Sequence, residues 1–352
     1  MLVLACAALP PAFAQAAETR PNSYQRADGH EVRLDPDIPH YVPGPALSGD
    51  LHLVGGGGIG DDIEGLMAGW AAILQRAHPM VRIHRAIYTS GCAPSALCEE
   101  RAQVGIMTRD MWPFERTLYR NKPFKPVDFT CAGSVYDTPG FSKHQCVYVH
   151  SENPLKQLSL AQVDAIFSKD RKRGGKEAIT RWGQLGLTGE WADKPIHLYG
   201  NIAQPDGNPY YFQLRVLLGG EWKDGLLPLK RPDAMAGDRY AIGFGPANHA
   251  GGRDAAGLWR SGEFVNARAV ALSEGDGQPA YEDSFENVLR RTYPLSRTTT
   301  LWLNRYPDKP FDALGKEFVR VALSWEGQEV VARSIFLPLP AVTVRESLAK
   351  LQ

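Results

Sequence analysis

A glycine-rich loop is the first segment of this sequence whose residue types point to chemistry. Residues 55–60 read Gly-Gly-Gly-Gly-Ile-Gly, between a strand pattern at 51–54 and a helical pattern that starts at Asp61 and Asp62. Glycines allow close approach to the backbone, and free amides at a helix start favour anions. The spacing also fits the dinucleotide fingerprint, which requires an acidic residue after the next strand. Residues 82–86 read Arg-Ile-His-Arg-Ala, so a dinucleotide-binding oxidoreductase is a remote alternative.

Cysteines are the second group that could do chemistry. Four of the five fall as two local pairs, Cys92 with Cys98 and Cys131 with Cys146. An even number in an exported chain favours disulfides, and local pairing is the simplest connectivity. Free buried thiols and a zinc site are the alternatives, but there is no Cys-x-x-Cys and no histidine pair with ligand spacing. We therefore predict disulfides within the two pairs, and no metal or other cofactor.

Hydrolase motifs are missing from the sequence. It contains neither Gly-x-Ser-x-Gly nor His-Glu-x-x-His, and its nine histidines are scattered. We therefore expect no enzymatic activity. Lys plus Arg equals Asp plus Glu at 39 each, so the charge balance gives no reason to expect nucleic acid as a partner.

Alternating strand and helix patterns position these residues. Apolar residues recur at helical spacing from Ile63 to Ala77, and strand patterns occupy 51–54, 81–88 and 104–107. This β-α-β-α-β order predicts a parallel sheet covered by helices. Further patterns predict strands at 147–149, 196–199, 240–245 and 299–303, and helices after Ser159 and at 311–326 and 327–334.

The N-terminal segment is typical of an exported protein. Residues 1–17 are uncharged, apolar and end in a small-x-small pattern at Ala12–Ala14, which predicts a secretory signal peptide. We expect cleavage there, not lipid attachment at Cys6, and a periplasmic protein. No later stretch reaches the ~18 uninterrupted apolar residues of a membrane span. With 352 residues, 43% of them hydrophobic, the chain is long enough for two lobes of about 150 residues.

An ordered series of short motifs resembles the phosphate-binding components of ABC transporters. The series is Asn153-Pro154-Leu155, Asp164-Ala165-Ile166-Phe167-Ser168, Trp182-Gly183-Gln184-Leu185-Gly186, Leu198-Tyr199-Gly200, Asp238–Gly243 and Tyr293–Arg297. Residues 53–115 resemble the opening lobe of this family more loosely. The resemblance implies an α/β, two-lobed periplasmic-binding-protein fold of type II. Each lobe would be a mixed sheet flanked by helices, joined by two crossing hinge segments.

The resemblance also implies how the chain is divided and with what it interacts. We expect a signal peptide at 1–17, an extended N-terminal segment at 18–45, a first lobe from 46–143 and 297–352, and a second lobe from 144–296. The family implies a monomer that passes a small-molecule ligand to an ABC permease in the inner membrane. In such sheets the ligand lies at the carboxyl ends of strands, beside helix starts.

That rule selects the segments 55–62, 89–92, 108–110 and 201–209 as the walls of the cleft. They offer the backbone amides, short hydroxyls and arginine fork that an oxyanion requires. The expected ligand-binding residues are Gly57, Gly58, Gly60, Asp61, Ser90, Gly91, Thr108, Arg109, Asp110, Asn201, Gly207 and Asn208. We expect Arg109 and Asp110 to form a charged pair, with Asp110 accepting the proton of a monoprotonated oxyanion.

Three departures from the family pattern bear on the ligand. Asp61 stands where the family has Ser or Thr, and a carboxylate repels a bound dianion. The family's Arg-x-x-Ser-Gly-Thr is replaced, with Asn201 at the arginine position and Asn208 at the threonine position. A Cys92–Cys98 bridge would alter the second loop. The sequence therefore favours phosphate or a similar oxyanion, with a different solute or a non-transport sensor or interaction protein as alternatives.

Overall fold

The computed structural model describes residues 22–26, 29–57, 60–136, 143–200, 202, 207–228, 237–247, 250–253, 259–261 and 266–352, with the backbone alone at 60–62, 250–253 and 259–261. The predicted signal peptide, Gly58 and Asn201 lie outside these residues. The strands of this part are β1 (Ser23–Gln25), β2 (Glu31–Arg33), β3 (Ser48–Gly56), β4 (Met80–Ile87), β5 (Val104–Met107), β6 (Lys125–Gly133), β7 (Gln145–His150), β8 (Gln157–Ser159), β9 (His197–Tyr199), β10 (Ala241–Pro246), β11 (Ala250–Arg253), β12 (Trp259–Ser261), β13 (Ala267–Ala269), β14 (Ala271–Ser273) and β15 (Thr298–Arg305). The helices are α1 (Gly60–Ala77), α2 (Cys92–Cys98), α3 (Pro113–Thr117), α4 (Leu160–Phe167), α5 (Gly207–Arg215), α6 (Phe285–Leu289), α7 (Ala313–Ala322), α8 (Trp325–Ala332) and α9 (Ala341–Ala349).

The first sheet contains five strands in the order β4-β3-β5-β15-β6. β3 pairs in parallel with β4 and β5, as the β-α-β pattern predicts, because crossover helices return each strand in the same direction. β15 comes from the far end of the chain and pairs antiparallel with both β5 and β6. The sheet is therefore mixed, and its central region depends on a strand that is distant in sequence.

Helix α1 is held on this sheet by one apolar face. Ile63, Leu66, Met67, Trp70 and Leu74 on that face are fully buried. Burial of side chains of this size contributes about 1.5–3 kcal/mol each. Trp70 Nε1 also donates to the carbonyl oxygen of Gly327 in α8 at 2.9 Å. These contacts keep the start of α1 beside the end of β3, where the glycine-rich loop lies.

The second sheet contains four strands in the order β13-β7-β10-β9. β10 pairs in parallel with β9 and antiparallel with β7, so this sheet is also mixed. Its core includes the stacked rings of Phe212 and Phe244, with centroids 4.1 Å apart. The predicted capping box at the start of α4 is present, because Ser159 Oγ accepts from Gln162 N at 3.1 Å and Gln162 Oε1 accepts from Ser159 N at 2.9 Å.

Two apolar cores lie on either side of two crossing segments. One core collects side chains from 24–135 and 301–351, and the other mainly from 136–295. The crossing segments are hydrogen bonded side by side, with Ser134 N donating to Arg297 O at 2.9 Å and Gln145 N to Leu295 O at 3.1 Å. The predicted two-lobed α/β fold is confirmed. The residue boundaries of the lobes stay predictions.

The N-terminal segment contains a short hairpin, β1–β2, and is anchored to the C-terminal part of the chain. Arg26 donates to the carbonyl oxygens of Ser334, Ile335 and Phe336 at 2.9, 2.6 and 2.7 Å. The C-terminal helix α9, which the sequence patterns did not predict, follows this anchored stretch. None of the helices in the described part of the chain combines the length and apolar composition needed to cross a bilayer.

The disulfide prediction is wrong, because Cys92, Cys98, Cys131 and Cys146 are all free. Cys92 and Cys98 begin and end α2, where a rise of 1.5 Å per residue separates their Cα atoms by about 9 Å, beyond the roughly 7 Å limit for a bridge. Cys131 lies in the first core and Cys146 in the second. Their thiols donate elsewhere, Cys131 to Thr299 O at 3.3 Å and Cys146 to Asp283 Oδ2 at 3.1 Å.

Candidate anion-binding site in the interlobe cleft

Two predicted hydroxyl residues meet where strands of the first sheet end. Ser90 follows β4 and Thr108 follows β5, and both are buried, with 5% and 8% of their surface exposed. Ser90 Oγ donates to Gly56 O at 2.6 Å and accepts from Thr108 N at 3.1 Å. The two hydroxyl oxygens lie 3.5 Å apart. Parallel strands bring their carboxyl ends to one edge of the sheet. Two residues that are 18 positions apart in the sequence therefore lie side by side.

The first two glycines of the glycine-rich loop lie too close to their neighbours to carry side chains. Gly55 and Gly56 have φ of +119° and +141°, and a Cβ at Gly55 would lie 2.1 Å from Ile106 O. A Cβ at Gly57 would lie 3.4 Å from Thr108 Cγ2, so this predicted residue does adjoin the hydroxyl pair. Gly60 begins α1, and Asp61 follows it in the first turn. The free amides of that turn favour an anion.

Arg109 forms an ion pair with Glu115. Arg109 Nη1 donates to Glu115 Oε2 at 2.8 Å and Nη2 to Glu115 Oε1 at 2.6 Å. The guanidinium lies over the ring of Trp112, 4.0 Å from its centroid. The expected charged pair with Asp110 is therefore wrong, because Glu115 presents two oxygens that match the guanidinium fork. Asp110 contributes only its carbonyl oxygen, which accepts from Nη1 at 2.9 Å.

This pairing leaves one side of the Arg109 fork directed at the cleft. The described contacts use three of the five N–H groups of the guanidinium. A Cβ at Gly91 would lie 3.6 Å from Nη2, so this nitrogen faces the predicted Ser90–Gly91 loop. Glu115 is only 4% exposed, so water competes little for the pair. Arg109 is thus a positioned donor beside the hydroxyl pair.

The second lobe contributes the start of α5. A Cβ at Gly207 would lie 3.4 Å from Arg109 Cβ, across the cleft. Asn208 Oδ1 accepts from Arg297 Nη1 at 2.7 Å and from Gln145 Nε2 at 3.1 Å. Two donors on one oxygen fix the orientation of the amide, so that the Nδ2 donor points away from both. Of the predicted residues at 201–209, the structure therefore brings Gly207 and Asn208 to the site.

Arg297 and Gln145 are site residues that the sequence did not predict. Arg297 is 3% exposed, and its Nη2 also donates to Thr108 O at 3.3 Å, so it contacts both walls of the cleft. The sequence does contain an indication that Arg297 belongs to the site, since this residue ends one of the motifs that carry the family resemblance. It supplies an arginine to a site in which the expected arginine position is Asn201.

A polar cavity of about 170 Å³ adjoins these residues. Its charged lining is Arg109, Arg116, Arg297, Asp110 and Asp128. Burial raises the pKa of the Asp110 carboxyl, although Arg297 and Arg116 partly offset the effect. Burial also raises the pKa of Tyr211, on the same wall, to about 12. Three guanidinium groups face two carboxylates, an excess of positive charge that suits an anion.

Known proteins are similar to this chain over most of its length. No family model matches the chain. The phosphate-binding protein PstS of two Pseudomonas aeruginosa strains is 33% identical over 325 residues, which is 90% of this chain and 92% of the relative. Similar solved structures include an ABC-type phosphate transport receptor from Vibrio cholerae (TM-score 0.45, 18% identity, 80% of this chain and 97% of that one) and PstS from Borrelia burgdorferi (TM-score 0.47, 12% identity, 82% and 98%). The sequence identity to the Pseudomonas proteins along almost the whole of both chains shows that this chain belongs to the PstS family of phosphate-binding proteins.

Proposed function

We propose that this protein captures phosphate in the cleft between its lobes and delivers it to an ABC permease in the inner membrane. The observation that carries the proposal is the convergence of anion donors from both lobes. Thr108 and Arg109 come from one wall and Asn208 from the other, and Arg297 contacts both. The relatives at 33% identity are named for phosphate binding, which supports the same ligand here.

The donors match the chemistry of a tetrahedral oxyanion. An arginine fork donates two parallel hydrogen bonds, and hydrogen bonds to charged groups contribute about 1.5–3 kcal/mol each. The Thr108 hydroxyl at a strand end and the amides at the starts of α1 and α5 add neutral donors in the same region. Arg297 adds a second guanidinium group to that of Arg109 in this region.

Asp110 supplies the basis for choosing phosphate over sulfate. Its carboxylate lines the polar cavity beside Arg109 and Arg297. A carboxylate can only accept hydrogen bonds, and monohydrogen phosphate carries a proton to donate. Sulfate carries none at neutral pH, so its oxygens would face the carboxylate with like charge. The same carboxylate would therefore bind one oxyanion and repel the other.

Family membership and the predicted signal peptide support a periplasmic monomer that binds its ligand without converting it. Closure of the two lobes about the crossing segments would be a hinge motion. Capture and release then require no covalent step, and the permease is the partner that receives the ligand.

Calorimetric titration with phosphate, arsenate, sulfate and a neutral sugar tests the proposal. We expect binding of phosphate and arsenate, weaker binding of sulfate, and none of the sugar. Thermal melting gives a second readout, because a ligand at a hundredfold excess over its Kd stabilises the fold by about 2.7 kcal/mol. Absence of heat and of any melting shift with every oxyanion would overturn the proposal.

A further inference from the structure

A second cluster of metal-ligand side chains lies behind the strand that carries Gln145. His144 directly precedes β7, and Cys146 is the second residue of that strand. Side chains alternate along a strand, so His144 and Cys146 share one face while Gln145 points oppositely, to Asn208 in the cleft. Asp283, which lies shortly before α6, reaches the face shared by His144 and Cys146.

The three side chains are close enough to bind one ion. Cys146 Sγ lies 3.1 Å from Asp283 Oδ2, and His144 Nε2 lies 3.7 Å from the same oxygen. All three ligand atoms lie within 4.8 Å of one another. Zinc bonds of about 2.0–2.3 Å at tetrahedral angles place ligand atoms roughly 3.3–3.7 Å apart. The two separations from Asp283 Oδ2 are near these values, and His144 and Cys146 need only small side-chain movements to complete the coordination.

We propose that His144, Cys146 and Asp283 form a zinc-binding site on the face of β7 opposite the phosphate cleft. An imidazole nitrogen, a thiolate and a carboxylate oxygen are the three ligand types that zinc takes from proteins. The Asp283 side chain is 17% exposed, whereas that of His144 is fully buried. The ion therefore enters from the Asp283 side, where water fills its fourth position.

The surroundings orient these ligands. Tyr136 stacks on His144 with ring centroids 5.4 Å apart, and its hydroxyl donates to Asp283 O at 3.2 Å. Tyr293 packs edge-on against the other side of the cluster, with its ring centroid 5.7 Å from that of His144. Such outer contacts commonly hold metal ligands in place.

Binding of zinc must displace a proton. In the metal-free protein the Cys146 thiol donates its proton to Asp283 Oδ2 at 3.1 Å. The sulfur–zinc bond forms as the S–H bond breaks, and the proton leaves to solvent. One proton is therefore released for each zinc ion that is bound.

Cobalt substitution in the purified, chelator-treated protein tests this site. We expect one equivalent of Co²⁺ to produce a thiolate-to-cobalt charge-transfer band, and Zn²⁺ to abolish it. Cys146→Ser should lose the band, and Asp283→Asn should weaken Zn²⁺ affinity at least tenfold. Cys92→Ser, a thiol elsewhere in the chain, is the matched control and should keep both properties.

Two results would overturn the proposal. One is a native protein without the charge-transfer band, and the other is an Asp283→Asn variant with native Zn²⁺ affinity. Asp283 is partly exposed, so its variant decides the question even if Cys146→Ser does not fold. Phosphate titration of each variant keeps the two proposals separate, because loss of zinc binding with intact phosphate binding supports the cation site and leaves the phosphate site unaffected.

Discussion

The Arg109–Glu115 pair allows the strongest test of the phosphate site. Arg109→Ala removes the guanidinium that faces Gly91 and leaves Glu115 behind it. We expect phosphate affinity to fall at least a hundredfold. The fall has two causes, the lost charged donor and the exposed negative charge of Glu115, and a second substitution separates them.

The structure sets the size of both effects. Loss of a charged hydrogen bond costs about 1.5–3 kcal/mol, or roughly 10- to 150-fold in Kd. The two N–H bonds of Arg109 Nη2 lie about 120° apart, so a ligand oxygen hydrogen bonded at about 2.9 Å would lie about 4.8 Å from Glu115 Oε1, which is 2.6 Å from the same nitrogen. At an effective dielectric constant of about 20, two unit charges at that distance repel by about 3.5 kcal/mol.

Glu115→Gln keeps the shape of the side chain and removes its charge. The double variant Arg109→Ala/Glu115→Gln should therefore recover about tenfold or more of the affinity lost in Arg109→Ala. Calorimetric Kd values for the four proteins form a double-mutant cycle, and melting curves establish that each is folded. A folded Arg109→Ala protein that binds phosphate within twofold of the native Kd would refute the reasoning, and so would a double variant no better than the single one.

Three further predictions follow from single side chains. Asp110→Asn should raise the melting temperature of the ligand-free protein at neutral pH, because burial raises the pKa of Asp110 and its ionised form destabilises the fold once pH exceeds the unfolded-state pKa. The same variant should bind sulfate more tightly relative to phosphate. An unchanged ratio of the two Kd values would contradict the role of Asp110. Ser90→Ala should lower the free energy of unfolding in urea by about 1–3 kcal/mol, because it leaves the buried Thr108 N–H and Gly56 C=O without their shared partner. Substitution of the exposed Ser151 by Ala is the control. Equal free energies of unfolding for the two variants would count against the contact. Thiol titration of the unreduced, denatured protein should detect Cys92, Cys98, Cys131 and Cys146 as free thiols, and detection of only two would show that a bridge does form.

Local order along the chain explains which parts of the fold and site were predictable. Ser90 and Thr108 follow strands of a β-α-β unit, and the geometry of that unit alone places them together. The buried face of α1 and the capping box at Ser159 are equally local signals, and the structure contains both. The contacts that the sequence predicts correctly are therefore those between residues of one supersecondary unit.

Long-range contacts explain what sequence reasoning missed. Arg297 lies 189 residues from Thr108, and Asp283 lies 137 residues from Cys146, so no local spacing links them. The sequence suggests the adjacent Asp110 as the partner of Arg109, because nothing in it shows that a turn at Trp112 folds Glu115 back onto Arg109. The cysteine pairs failed for a related reason, since nearness in sequence ignores the rigid rise of α2 and the separation of the two cores.

The position of β15 has a consequence for biosynthesis. This strand lies between β5 and β6, yet it begins at Thr298, after the entire second lobe has been translated. A nascent chain shorter than this lacks an inner strand of its first sheet, whereas the second sheet is nearly continuous in sequence and can form earlier. The first sheet can therefore be completed only after the strands of the second sheet have been translated, although most of its own strands are translated first.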